Sequence, residues 1–90
     1  MITRHLVISG RVQGVGYRYY MRRAARELGV TGWVRNRRDG TVEAMVSGTP
    51  AAVENIIAWA HHGPESAVVS GVEIAESSGN FTIFDTLPTE

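Results

Sequence analysis

The chain has no cysteine, no lysine and no long apolar run, and each absence excludes a class of protein. Without cysteine it can form no disulfide, no thiolate nucleophile and no cysteine-ligated metal site. Without lysine it can form no Schiff base and lacks the lysine of a Walker phosphate loop. Its longest apolar run, residues 56–60, is far shorter than the roughly 20 residues of a membrane-spanning helix. The N-terminal residues also lack the apolar core of a signal peptide, so we expect a cytoplasmic protein.

The length and composition are those of one small globular domain. The chain has 90 residues, of which 43% are hydrophobic and 20% are charged. Such a composition is neither disordered nor fibrous. We therefore expect a single domain over residues 1–90, with a core over about 4–84 and a loose C-terminal tail over 85–90 that contains Pro88.

Opposite charges are concentrated in the two halves of the sequence, although the formal net charge is zero. Residues 1–38 hold all nine arginines and one acid, Glu27, whereas residues 39–90 hold eight acids and no base. Either the halves interleave and neutralise each other, or some arginines form a local anion site. The arginines expected to be solvated surface residues and nothing more are those at 22, 23, 26, 37 and 38.

The apolar periodicity predicts the order β-α-β-β-α-β with a small terminal strand. Strands are predicted near 6–12, 31–36, 41–46, 68–75 and 81–84. A first helix is predicted from Tyr17 to a C-cap at Gly29, and a second from the N-cap Thr49 to Gly63-Pro64. This order predicts an α+β, ferredoxin-like split β-α-β sandwich, an antiparallel sheet with two helices on one face plus a short terminal strand.

A glycine-rich loop joins the first strand to the first helix, with glycine at positions 10, 14 and 16. Such a loop lets successive main-chain N–H groups converge on an anion, and the helix adds the positive end of its dipole. Arg18, in the first turn, could close a guanidinium over the same phosphate. The alternative is a tight turn with Arg18 on the surface. A cysteine-phosphatase loop is excluded, because Val12 occupies the position of its nucleophile.

Asn36 is predicted to lie near this loop. In a split β-α-β sheet the third strand separates two parallel strands, which here end at Val12-Gln13 and Arg35-Asn36. Two strand spacings place those ends roughly 10 Å apart, so one small ligand could touch both. The Asn36 amide could hold a water against a bound phosphate. Alternatively, Asn36 serves only the turn at Asp39-Gly40.

Two separated motifs in this sequence resemble the acylphosphatase family. They are GRVQGVGYR over residues 10–18 and LGVTGWVRN over 28–36, followed by DGTVE over 39–43. The similarity continues through Gly48, Val53, Gly63-Pro64, Ala67, Val69 and Val72, and covers about residues 5–84. Two departures are Tyr17, where phenylalanine is commoner in the family, and the acidic tail.

The resemblance implies a ferredoxin-like fold and hydrolysis of the carboxyl–phosphate bond, with no cofactor and no metal. It implies that Arg18 binds phosphate and that Asn36 orients the attacking water. The substrate-binding residues expected from the main-chain N–H groups of the glycine loop and from the arginine are Gln13, Gly14, Val15, Gly16, Tyr17 and Arg18. The chemistry suits a site without an acid, because a carboxylate whose conjugate acid has a pKa near about 4 leaves without protonation.

The expected partner is a small acyl phosphate, with inorganic phosphate or sulfate competing for the same site. We expect a monomer that binds neither nucleic acid nor membrane. One alternative is a non-catalytic acylphosphatase-like ligand-binding or maturation domain. Another is an RNA-binding module, although the first and third strands lack the aromatic residues on which such modules stack bases. His61 and His62 project in different directions from a helix and cannot readily share a metal.

Overall fold

The computed structural model describes all residues, 1–90, as five strands and two helices. In chain order these are β1 (Ile2–Arg11), α1 (Tyr17–Leu28), β2 (Thr31–Asn36), β3 (Val42–Gly48), α2 (Pro50–His62), β4 (Val68–Ser77) and β5 (Phe84–Thr86). The strands form one sheet in the order β4-β1-β3-β2-β5. The first four are joined by antiparallel pairings, and β5 pairs with β2 in parallel.

The core lies between the sheet and the two helices. Alternate residues of β1, β2 and β3 point towards the helices and are fully buried, as the period of two in a strand requires. These are Leu6, Ile8, Val34, Val42, Ala44 and Val46. The ferredoxin-like sandwich expected from the element order is confirmed, with a mixed sheet because of β5.

Both helices begin and end where the sequence predicts. In α1 the buried residues Tyr17, Met21 and Ala25 form one face, and Gly29 ends the helix in the left-handed conformation at φ 75°. In α2 the Thr49 hydroxyl accepts a hydrogen bond from the N–H of Ala52 at 3.2 Å, which caps the helix. Neither helix combines the length and the apolar character needed to cross a membrane.

The C-terminal segment differs from the expectation. The sequence predicts the last strand at 81–84, but β5 spans Phe84–Thr86. The residues expected to form a loose tail are bound to β2 instead, because the N–H of Leu87 donates to the carbonyl of Val34 at 2.9 Å and the N–H of Glu90 donates to that of Asn36 at 3.1 Å. Phe84, whose side chain is 1% exposed, anchors this segment in the core.

Candidate active site

A cavity of about 310 Å³ opens where β1 and β2 end and α1 begins. The ends of β1 and β2 lie close together because β3 pairs with both strands, as the predicted topology requires. Val42 of β3 is in register with Ile8 of β1 on one side and with Asn36 of β2 on the other. The residues lining the cavity are Val12, Gly14, Gly16, Tyr17, Arg18, Tyr19, Arg22, Asn36 and Thr86.

The glycine loop presents main-chain donors to this cavity. Gly14 and Gly16 adopt left-handed conformations at φ 74° and 79°, which residues with a Cβ rarely adopt. The N–H groups of residues 13–16 make no hydrogen bond within the protein. A run of unpaired N–H groups in a loop of this kind forms a concave binding site for an anion.

The N-terminus of α1 adds further unpaired N–H donors and a positive electrostatic potential to the anion-binding site of the glycine loop. Gly16 is its N-cap, no side chain caps it, and its first turn contains no acid. Its first N–H groups, at residues 17–19, therefore remain without partners inside the protein. The helix dipole favours an anion at this position.

Arg18 and Arg22 are the only charged side chains that line the cavity. Both are half-buried, and neither forms an ion pair or a hydrogen bond within the protein. A guanidinium without a carboxylate partner is free to bind an anionic ligand in a bidentate manner. No lining residue is a carboxylate or a histidine.

Asn36 brings an unpartnered acceptor to the cavity. Its Oδ1 atom is buried and makes no hydrogen bond within the protein. A buried acceptor without a partner is unfavourable, so such an atom is suited to accept a hydrogen from a ligand or a water. Asn36, the last residue of β2, therefore lines the same cavity as the glycine loop, as the sequence predicted.

The other predicted binding residues divide into two groups. Gly14, Gly16, Tyr17 and Arg18 line the cavity, whereas Gln13 and Val15 do not. The Gln13 Nε2 atom donates to the carbonyls of Arg37 at 2.7 Å and Thr41 at 2.9 Å. Its side chain therefore ties the glycine loop to the β2–β3 connection, while Val15 is half-buried against the core.

The Tyr17 side chain lines the cavity and also forms a hydrogen bond to α2. Its hydroxyl donates to the carbonyl of Ala60 at 2.7 Å, in the last turn of α2. That carbonyl has no helical partner, because the residue four positions later is Pro64, which has no N–H. Burial raises the pKa of the Tyr17 phenol well above its ordinary value of 10.0.

Two arginines expected to be plain surface residues have other environments. Arg22 lines the cavity. The Nε atom of Arg37 is buried, and the side chain approaches the carboxylates of Asp39 at 4.0 Å and Glu90 at 3.8 Å. No sequence pattern distinguishes them from Arg38, because the positions that face the cavity or the tail are set by the tertiary fold.

Comparisons with known proteins agree on one family. The sequence profile of the acylphosphatase family matches residues 4–86 of this chain. The chain belongs to the acylphosphatase family. Its curated relatives carry the name acylphosphatase, so it is an enzyme of that class, a hydrolase of the carboxyl–phosphate bond.

The relatives of this acylphosphatase cover most of its length. An acylphosphatase of Acidovorax sp. (strain JS42) is 63% identical over 84% of this chain and 78% of its own. One of Thiobacillus denitrificans is 54% identical over 94% of this chain and 96% of its own. The crystal structure of acylphosphatase from Bacillus subtilis superposes with a TM-score of 0.92 at 30% identity, covering 97% of this chain and 99% of that one.

Other polar candidates in this acylphosphatase have structural surroundings. His5 Nε2 contacts the Glu43 carboxylate at 2.7 Å across the sheet, and Arg35 contacts the same carboxylate at 2.7 Å. His61 and His62 are exposed in the last turn of α2. Asp39 forms the turn expected of it, since its Oδ1 accepts hydrogen bonds from the N–H and the hydroxyl of Thr41. Those two bonds hold the pKa of the Asp39 carboxyl below its ordinary value.

Proposed function

We propose that the enzyme hydrolyses small acyl phosphates without a metal, using the glycine loop and Arg18 to hold the phosphoryl group and Asn36 to orient the attacking water. One observation carries this proposal. A single cavity brings together the lining glycines of that loop, an unpaired guanidinium and the unpartnered Oδ1 of Asn36. The lining contains no carboxylate and no histidine, the side chains that most often bind a metal or act as a general acid at neutral pH.

The phosphoryl group binds to the main-chain N–H groups of residues 13–18 and to the Arg18 guanidinium. These donors are unpaired before the substrate arrives, so no internal hydrogen bond has to break when a dianion binds. Charge on the phosphoryl oxygens is stabilised by preorganised donors as the reaction proceeds. Inorganic phosphate and sulfate present the same oxygens and compete for the same site.

The water is held by the Asn36 side chain, and its oxygen attacks phosphorus. The bond between phosphorus and the acyl oxygen breaks, and the carboxylate leaves with the bonding electron pair. The protons of the water remain on the phosphate or pass to solvent. No acid has to protonate the leaving group, because carboxylates have conjugate-acid pKa values near about 4. Orientation of the water by Asn36 lowers the barrier further.

The proposal also includes a cytoplasmic monomer that does not bind nucleic acid. On the open face of the sheet, the central strands β1 and β3 display His5, Val7, Glu43 and Met45 rather than aromatic residues. Glu43 forms an ion pair with Arg35 on this face, so that arginine is not free to bind a phosphate of a nucleic acid. Burial opposes the ionisation of Glu43, but hydrogen bonds from His5 and Arg35 outweigh that effect and lower its pKa. Sedimentation tests the oligomeric state, titration with an RNA oligomer tests nucleic-acid binding, and fractionation of cells tests the location.

The decisive experiment measures the hydrolysis of benzoyl phosphate by the wild type and two variants. Arg18→Gln should raise KM about 10- to 100-fold, because a charge-assisted bond to the phosphoryl group is lost. Asn36→Ala should lower kcat by about 100-fold with a smaller effect on KM, because the water loses its orientation. Matched controls are Arg38→Gln and Asn55→Ala, whose exposed side chains lie outside the cavity.

Three results would contradict the proposal. Activity that disappears in a chelator would show that a metal is required. Activity confined to alkyl phosphates would show that a general acid is present. An Asn36→Ala enzyme with the turnover of the wild type would remove the role assigned to that residue.

A further inference from the structure

A second depression adjoins the catalytic cavity along the exposed side of α1. Its volume is about 290 Å³, and its lining residues are Tyr19, Arg22, Arg23 and Arg26. We call it the α1 groove. Tyr19 and Arg22 also line the catalytic cavity, so the two spaces share a wall. A ligand held by its phosphoryl group at Arg18 could therefore extend into the α1 groove.

The α1 groove is cationic and contains no acid. Arg22 and Arg23 form no ion pair and no hydrogen bond within the protein, and Arg26 makes only a 3.4 Å hydrogen bond to the carbonyl of Phe84. The Arg23 guanidinium lies 6.0 Å from the centre of the Tyr19 ring. Three neighbouring cations with no carboxylate within 4.0 Å repel one another, and an anion among them would relieve that repulsion.

Arg22 is distinguished from the other two by its position. It is half-buried and contacts both spaces, whereas Arg23 and Arg26 are exposed and line only the groove. A partly desolvated guanidinium binds an anion more strongly than one in open solvent. The side chain at position 22 is thus placed to contact the acyl part of a substrate whose phosphoryl group lies at the glycine loop.

We propose that Arg22 makes the enzyme prefer acyl phosphates whose acyl group carries a second anion, a carboxylate or a phosphate. Tyr19 forms the side wall against which the acyl chain lies, and Arg23 and Arg26 extend the positive potential beyond it. This inference rests on the proposed function, since it takes the phosphoryl group to be held at Arg18. It concerns substrate preference and leaves the reaction step unchanged.

The test compares two substrates of nearly equal shape, 4-carboxybenzoyl phosphate and 4-carbamoylbenzoyl phosphate. They differ in one negative charge remote from the phosphoryl group, and the rigid ring prevents the second anion from attacking its own acyl carbon. The measured quantity is the ratio of their kcat/KM values in each enzyme. Because each enzyme supplies its own ratio, a general loss of activity in a variant cancels. The 3-substituted isomers vary the position of the charge.

Arg22→Gln should lower this ratio about three- to tenfold, as expected for the loss of one partly buried charge pair. Arg22→Lys keeps the charge and should retain part of the preference. Arg38→Gln removes the same charge from a side chain that lines neither space, so it should leave the ratio unchanged. An Arg22→Gln ratio equal to that of the wild type would overturn the inference, as would an equal loss in Arg38→Gln.

The same assay separates this inference from the proposed function. If the wild type hydrolyses both substrates but Arg22→Gln leaves their ratio unaltered, the subsite is wrong and the proposed function stands. If the wild type hydrolyses neither these compounds nor benzoyl phosphate, the proposed function itself has failed.

Discussion

At the scale of single residues, Tyr17 links the start of α1 to the end of α2. Its hydroxyl satisfies the Ala60 carbonyl, and its ring packs edge-on against Trp59 with centroids 5.2 Å apart. This bond explains why tyrosine fits a position at which the resemblance described above leads one to expect phenylalanine. A phenylalanine would fill the same volume but leave a buried carbonyl without a partner.

Tyr17→Phe should therefore lower the free energy of unfolding by about 1 to 2 kcal/mol at neutral pH. Urea denaturation of the two proteins measures this difference. Tyr20→Phe is the matched control, because the Tyr20 side chain is 45% exposed and its hydroxyl makes no hydrogen bond. Equal unfolding free energies for Tyr17→Phe and the wild type would contradict the assignment.

The difference in unfolding free energy between the wild type and Tyr17→Phe should also depend on pH in the alkaline range. Because burial raises the pKa of Tyr17 in the folded state above its ordinary 10.0, the unfolded chain ionises first as the pH rises. The contribution of the neutral phenol is complete below about pH 10 and is lost progressively above it. The stability gap between the wild type and Tyr17→Phe should thus narrow above about pH 10. A gap independent of pH would show that the phenol ionises equally easily when folded.

The chemistry of individual positions was only partly predictable from the sequence. Arg18 and Asn36 could be singled out because one follows a glycine loop and the other ends a strand, and topology brings those two places together. Their catalytic roles stay predictions. Gln13 was expected to bind substrate and Arg22 to be a plain surface residue. The side-chain bonds of Gln13 and the position of Arg22 in the cavity wall could not be predicted, because they depend on contacts between segments far apart in sequence. A sequence motif also does not show whether Gln13 acts through its main-chain N–H group or through its side chain.

At the scale of elements, local signals determined the helices, and their absence made β5 hard to predict. Gly29 and Thr49 are terminal signals that act within a few residues, so both helices were placed correctly. The strand β5 has three residues, and its register follows from parallel pairing with β2. A pairing of that kind leaves no alternating pattern in so short a segment, which is why 81–84 was predicted instead.

The C-terminal segment connects this element-scale difference to the active site. The N–H of Glu90 donates to the carbonyl of Asn36, the residue proposed to orient the water. The Glu90 carboxylate also lies 3.8 Å from Arg37, the neighbour of Asn36. The last residues therefore hold the end of β2 from its outer side, and Thr86 of β5 lines the cavity.

Deleting Glu90 should lower kcat for benzoyl phosphate about two- to fivefold while leaving KM nearly unchanged, because a small displacement of Asn36 affects the orientation of the water more than phosphate binding. The matched variant Glu90→Gln keeps the N–H group and removes only the charge, so it should retain most of the turnover. Wild-type kcat in the deletion variant would show that β2 needs no support from the tail.

At the scale of the whole molecule, the two halves interleave in space, but few of their charges pair directly. The strand β4 lies beside β1, and β5 lies beside β2. Of the nine arginines, only Arg35 and Arg37 have a carboxylate within 4.0 Å. Neutralisation of the basic half by the acidic half therefore accounts for only part of the charge asymmetry. Four of the remaining arginines, at 18, 22, 23 and 26, project from α1 beside the cavity.

This arrangement predicts that activity depends on ionic strength even though the formal net charge is zero. Unpaired arginines beside the cavity attract a dianionic substrate, and salt screens that attraction as the Debye length shortens. The kcat/KM for benzoyl phosphate should fall about two- to fivefold between about 10 and about 300 mM sodium chloride, mainly through KM. Sodium acetate at equal ionic strength should give the same curve, because screening does not depend on which anion is present. Different curves would indicate that chloride competes for the phosphate site, and a flat curve would show that the α1 arginines exert no effective field on the substrate.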